Sequence, residues 1–246
     1  MRRLTEIICV FRIQLLSLRA EAGPFFLAGI LFPASMYLFA RAVSGAQSAQ
    51  DHNRVRFVAG SIVFSISLTS ISWLGYLLLE NRFTGRLKLF ATLPLAPSSY
   101  LLGILLFAFA QATLATTALL LVGRGFGVSM RPNIPMLTLV IMITVLCLCG
   151  LGVTIAARAR SFTEGSLLTD ALGAGLVFLA PIYYTPENML PGLRTVSQLL
   201  PTAFAARAVE TTLNGSYHVG SQLLALCLMA ALTLGIGFRL TKWREE

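Results

Sequence analysis

Several stretches of this 246-residue chain contain no Asp, Glu, Lys or Arg over a length that matches the thickness of a lipid bilayer. A hydrocarbon core about 30 Å thick takes roughly 20 apolar residues in a helix rising about 1.5 Å per residue. A helix is the open-ended backbone that satisfies its own hydrogen bonds in lipid. Residues 22–40, 57–79, 132–157 and 219–238 therefore each predict one span. The run 89–123 is too long for a single crossing, but Pro94 and Pro97 break its start, which predicts a helix over 99–122. Between Arg160 and Val219 one further helix is expected at 165–180, followed by a Pro-broken outer segment over 181–210. The fold class is an all-α membrane protein with six transmembrane helices in a single domain over 1–246.

Composition agrees: 56% of residues are hydrophobic and 12% charged, about half the charged share of an ordinary soluble domain. Disorder and a secreted disulfide scaffold are excluded with the soluble globule. A net charge of +9 would suit nucleic acid only if the chain had a soluble basic face, so no nucleic-acid partner is expected. The basic excess reads instead as a topology signal. With the N-terminus inside, the inner segments hold Arg2, Arg3, Arg12, Arg19, Arg82, Arg86, Lys88, Arg158, Arg160, Arg239, Lys242 and Arg244. The outer ones hold Arg41, Arg54, Arg56, Arg124, Arg131, Arg194 and Arg207. Both termini are expected to be cytoplasmic.

Residues 1–21 resemble a signal peptide superficially, with Ala20-Glu21-Ala22 as a small-x-small site. Arg12 and Arg19 interrupt what should be an uncharged core, while Leu4, Ile7, Ile8, Phe11, Leu15 and Leu18 recur on one helical face. This pattern predicts a helix in the headgroup layer, its apolar side in acyl chains and Arg12 and Arg19 on lipid phosphates.

The chemistry of an enzyme is absent from the pattern. There is no G-x-x-x-x-G-K-[ST] loop, and Gly123, Gly125 and Gly127 read as turn glycines. His52 and His218 have no cysteine cluster nearby, so no metal is expected, and Cys9, Cys147, Cys149 and Cys227 read as small apolar filler. Glu21, Glu80, Glu164 and Asp170 are expected near cytoplasmic helix ends, leaving no carboxylate at a helix centre for ion coupling. No catalytic residue is expected, and the energy for any transport must come from elsewhere.

The inner segment from Glu80 to Gly103 is too long and too apolar for a turn. Leu87, Phe90 and Leu93 fall at i, i+3 and i+6, which predicts a short amphipathic helix with Arg86 and Lys88 off its face and Pro94 ending it. By pattern alone it could transmit a push from a soluble partner or rest on the headgroups. Its order of residues, Glu80, Gly85, Leu87, Leu89, Leu93, Pro94, Leu95 and Gly103, resembles the coupling loop of the membrane subunit of type-two ATP-binding-cassette exporters. That family comprises drug, lipid and polysaccharide export permeases. Lys88 stands where the family often has an acid and Ile104 where it often has Lys. The outer stretch with Pro181-Ile182-Tyr183, Glu187, Leu190-Pro191, Leu193-Arg194 and Pro201-Thr202 resembles the family's pair of re-entrant helices. There the family's Asn before the last Pro is Leu200, and the charges appear in swapped order as Arg207 and Glu210.

The resemblance implies a bacterial inner-membrane permease that binds no cofactor itself. ATP and Mg would sit on two copies of a separate ATP-binding subunit, and a second permease copy or a paralogue would complete the pathway. It assigns ATPase coupling to Glu80, Gly85, Arg86, Leu87, Lys88, Leu89, Phe90, Leu93 and Pro94. It offers Phe64, Trp73, Tyr76, Phe178, Tyr183 and Tyr184 as pathway-lining groups, although by pattern alone each single position reads first as a lipid-facing or interfacial aromatic. A mostly apolar path suits a lipophilic drug or lipid-like substrate. A polysaccharide or glycolipid permease, an ion-gradient-driven transporter and a non-transporting scaffold for an ATPase are the alternatives.

Overall fold

The computed structural model describes residues 2–20, 22–43, 51–86, 92, 96–183 and 190–240, and among these the chain is helical with no strand. Helix α1 is Arg2–Ala20. Helix α2 covers 22–43 and contains a π-helical turn at Leu27–Leu31. Helix α3 covers 51–83, with a second π-turn at Leu68–Trp73. There follow α4 (Pro97–Gly125), α5 (Ile134–Arg158), α6 (Phe162–Leu179), α7 (Pro191–Gln198), α8 (Pro201–Leu213) and α9 (Gly220–Leu240).

Among the described residues five helices are long and apolar enough to cross a membrane: Asn53–Phe83, Ser98–Gly125, Ile134–Arg158, Phe162–Leu179 and Gly220–Gly237. The span expected at 22–40 is represented by a shorter apolar helix, Leu27–Val43. Local signals set the starts. Pro97, expected to break α4, opens it instead, because the first turn needs no amide donor from that position. Asn133 caps α5 by accepting from Met136 N at 3.4 Å. Ser161 accepts from Glu164 N at 3.1 Å while Glu164 Oε2 accepts from Arg160 N at 3.0 Å. That reciprocal cap starts α6 at Phe162, before the expected 165. The earlier start also moves Asp170: it is not near a helix end but eight residues from Phe162 and nine from Leu179.

Helix α3 is the hub, touching α2, α4, α5, α6 and α8. Its apolar window is 72% buried, against 22% for α6 and 17% for α9. In lipid, helices gain no hydrophobic drive to associate, so small residues and hydroxyls carry the contacts. Ser65 donates to Gly29 O in the π-turn of α2, and Ser67 donates to Gly173 O of α6 at 2.9 Å. Phe64 fills the space between Phe32 and Phe178, with ring centroids 5.3 and 5.9 Å away.

Helix α9 lies on α5 through small residues. A Cβ on Gly150 would stand 2.8 Å from the backbone of Thr233 and Leu234, and Thr233 Oγ1 donates to Cys147 O at 3.0 Å. The other side of α9 carries Leu224, Leu228, Leu232 and Ile236, all exposed at i, i+4 spacing.

Helix α1 docks on α4. Val10 and Gln14 are buried, Phe11 meets Phe107 edge to face at 6.4 Å, and a Cβ on Gly103 would meet Val10 at 2.7 Å. The apolar face expected to lie in acyl chains is thus divided. Leu4, Ile8 and Leu15 remain exposed, whereas Phe11 turns to protein.

Candidate coupling site and pathway face

The last turn of α3 is held from three sides. Buried Asn81 donates through Nδ2 to Tyr100 Oη of α4 at 2.9 Å. Arg82 Nη1 reaches the C-terminal carbonyls of α5 and beyond: Ala156 O at 3.0 Å, Ala157 O at 3.3 Å and Ala159 O at 2.9 Å. These acceptors have no partner within a helix that is ending, and a cation there also complements the helix dipole. Thr84 N then donates to Glu80 O at 2.9 Å and Gly85 N to Arg82 O at 3.3 Å. Gly85 has φ +76°, a left-handed conformation that any side chain would strain.

Arg86 pairs with Glu80 at 3.3 Å with both side chains in contact with solvent, a geometry that contributes at most about 1 kcal/mol. Of the expected coupling residues, Glu80, Gly85 and Arg86 fall together here. Leu87, Lys88, Leu89, Phe90, Leu93 and Pro94 lie outside the described residues. On the return side, Ala96 N donates to Glu6 Oε2 of α1 at 3.2 Å. The described residues on either side of 87–95 are thereby tied to α1, α3, α4 and α5.

Arg82, Asn81 and Glu6 were not among the expected site residues. A charge at a helix end reads from sequence as topology, and its acceptors on α5 are more than 70 positions away. Arg12 is exposed on α1 as a phosphate contact requires, while the Arg19 side chain lies outside the described set.

The expected pathway aromatics separate into two groups. Phe64 is fully enclosed, and Trp73 packs on Phe107 at 5.3 Å. Tyr183 shares a hydrogen bond with Ser61 at 3.3 Å beside Gly60, and burial pushes its phenol pKa up, so it stays neutral. Tyr76 and Phe178 are 46% and 54% exposed and reach the surface of the protomer. Tyr184 lies outside the described residues.

At the far end, opposite the 84–96 segment, Arg56 donates to Pro181 O at 2.9 Å. Helix α8 is tied to the start of α5 through Arg131 N to Leu213 O and Asn133 N to Thr212 O, both 3.0 Å. Helix α7 leaves Leu193 and Val196 exposed. Among the described residues no group of three His, Cys, Asp or Glu could hold a metal ion.

Long apolar helices crossing one another around a hydroxyl-lined hub define a multi-pass membrane protein. The family model described as ABC-2 type transporter matches residues 6–214, well over half of the chain. The chain belongs to that family and is a membrane component of a transporter. Comparison with curated proteins returns no match.

Proposed function

We propose that this chain is the translocation subunit of an ATP-driven exporter for a lipophilic substrate. Two copies, or one copy and a paralogue, form the pathway, and two ATP-binding subunits carrying ATP and Mg engage the 84–96 segment. The observation that carries the reading is the anchorage of the two flanks of that segment on four helices, through Asn81 and Arg82 before it and Glu6 on Ala96 at its end. A displacement applied there reaches α1, α3, α4 and α5 together. In this reading 22–43 supplies a sixth crossing, both termini face the cytoplasm, and the α7–α8 pair re-enters the outer leaflet of a bacterial inner membrane.

The test is co-expression with the ATP-binding subunit and reconstitution in vesicles. ATP-dependent efflux of a lipophilic dye is expected, with Gly85→Val lowering it about tenfold while the complex still assembles. If Gly85→Val leaves efflux unchanged, or no complex with ATPase activity forms, the reading fails. An ion-gradient-driven carrier is the second reading, and mid-helix Asp170 is the observation in its favour. Efflux that persists on ATP after an ionophore collapses the gradient excludes it.

A further inference from the structure

The two least buried candidate spans, α6 and α9, present different outer faces. That of α9 is an aliphatic row, Leu224, Leu228, Leu232 and Ile236, which acyl chains can cover at no cost. The exposed face of α6 instead includes Asp170. At about 1.5 Å per residue Asp170 stands about 12 Å from one end of the helix and about 13.5 Å from the other.

The neighbouring helix gives the same depth. Thr169 O accepts from Ser72 of α3 at 3.4 Å, and a Cβ on Gly75 would press on the Thr169 side chain. Asp170 is therefore level with Ser72–Gly75, eight to eleven residues inside the Phe83 end of a 31-residue span.

Among the described residues no donor or cation pairs with Asp170. A charged side chain facing lipid at a span's centre is costly to insert and is found facing protein or a water-filled cavity. This face of α6 must then look onto a water-filled path or onto protein. The same outer surface carries aromatic rings about two turns to either side of Asp170: Tyr76 on α3 is exposed with its ring against Phe162 of α6, and Phe178 is exposed at the other end of the helix.

We propose that Asp170 is the recognition group for a lipophilic organic cation, with the carboxylate meeting the charge and Tyr76 the apolar or aromatic body. An aromatic face attracts an organic cation through the negative face of its ring quadrupole. Among the described residues no group of three His, Cys, Asp or Glu could hold a metal ion, so an organic cation fits better than a divalent ion. The inference rests on the exporter reading for its biological meaning, but the binding it names can be measured separately.

The experiment compares the wild-type permease with D170N and D170E in phosphatidylcholine nanodiscs, using tetraphenylphosphonium as the cationic probe and Nile red as the uncharged one. In D170N the ratio of the two affinities is expected to shift about tenfold toward Nile red, about 1.4 kcal/mol. D170E is expected to return the ratio to within about threefold of wild type. An unchanged ratio in D170N overturns the proposal. So does loss of permease self-association in D170N on size-exclusion chromatography, which would assign Asp170 to a contact between subunits. ATP-driven export of Nile red by the full complex is the separate control. If it fails while the affinity ratio shifts, the exporter reading falls and the cation site stands.

Discussion

Arg82 shows how a charged residue at a helix end can serve the protein rather than the lipid. Its Nη1 faces three carbonyls where α5 terminates, and the guanidinium carries that nitrogen farther from the backbone than a lysine carries its ammonium, with further N–H donors beside it. Charge-assisted hydrogen bonds contribute about 1.5–3 kcal/mol when buried, less here because the side chain is only partly buried. Arg82→Ala is expected to lower stability by about 1–2 kcal/mol, read as a fall in Tm by circular dichroism in detergent. Arg82→Lys should recover less than half of the loss. A fully stable Lys variant would show that charge alone, not the reach of the guanidinium, holds the two helices.

At the scale of elements, the α5–α9 contact depends on the absence of a side chain at Gly150. A methyl group there would meet backbone of Thr233 and Leu234, which cannot rotate away as a side-chain tip can. Gly150→Ala is expected to cost about 1–3 kcal/mol as overpacking and to loosen α9, measured by Tm and by cross-linking between the two helices. Gly235 of α9, with nothing within 4 Å of its Cβ position, should accept Ala with no loss of Tm.

The helices themselves were largely legible in the sequence, because charge-free length is a one-dimensional quantity. So was the Ser161-x-x-Glu164 start of α6, a capping signature that the charge-free window passed over. Asp170 shows the limit. The expected start at 165 placed it near an end, whereas the cap starts the helix three residues earlier and leaves the carboxylate inside. Contacts between distant positions, such as Asn81 with Tyr100 or Glu6 with Ala96, have no local pattern at all.

For the whole molecule, the two ends of the bundle make opposite predictions. Thr84 and Tyr217 are both exposed, and they lie on opposite sides of the membrane if the termini are cytoplasmic. In a background lacking the four native cysteines, an impermeant maleimide added to intact cells is expected to label Tyr217→Cys and to spare Thr84→Cys until the cells are permeabilised. The reverse pattern would invert the orientation and remove the 84–96 segment from reach of any cytoplasmic ATPase.

The seating of α1 also has a meaning in time. Its carboxylate at Glu6 waits for an amide 90 positions later, and Val10 waits for the groove at Gly103. At about 5–20 residues per second, the ribosome needs roughly 5–20 s to supply them. Helix α1 therefore spends that interval with its protein-facing half uncovered, and it completes its packing only after α4 has been made.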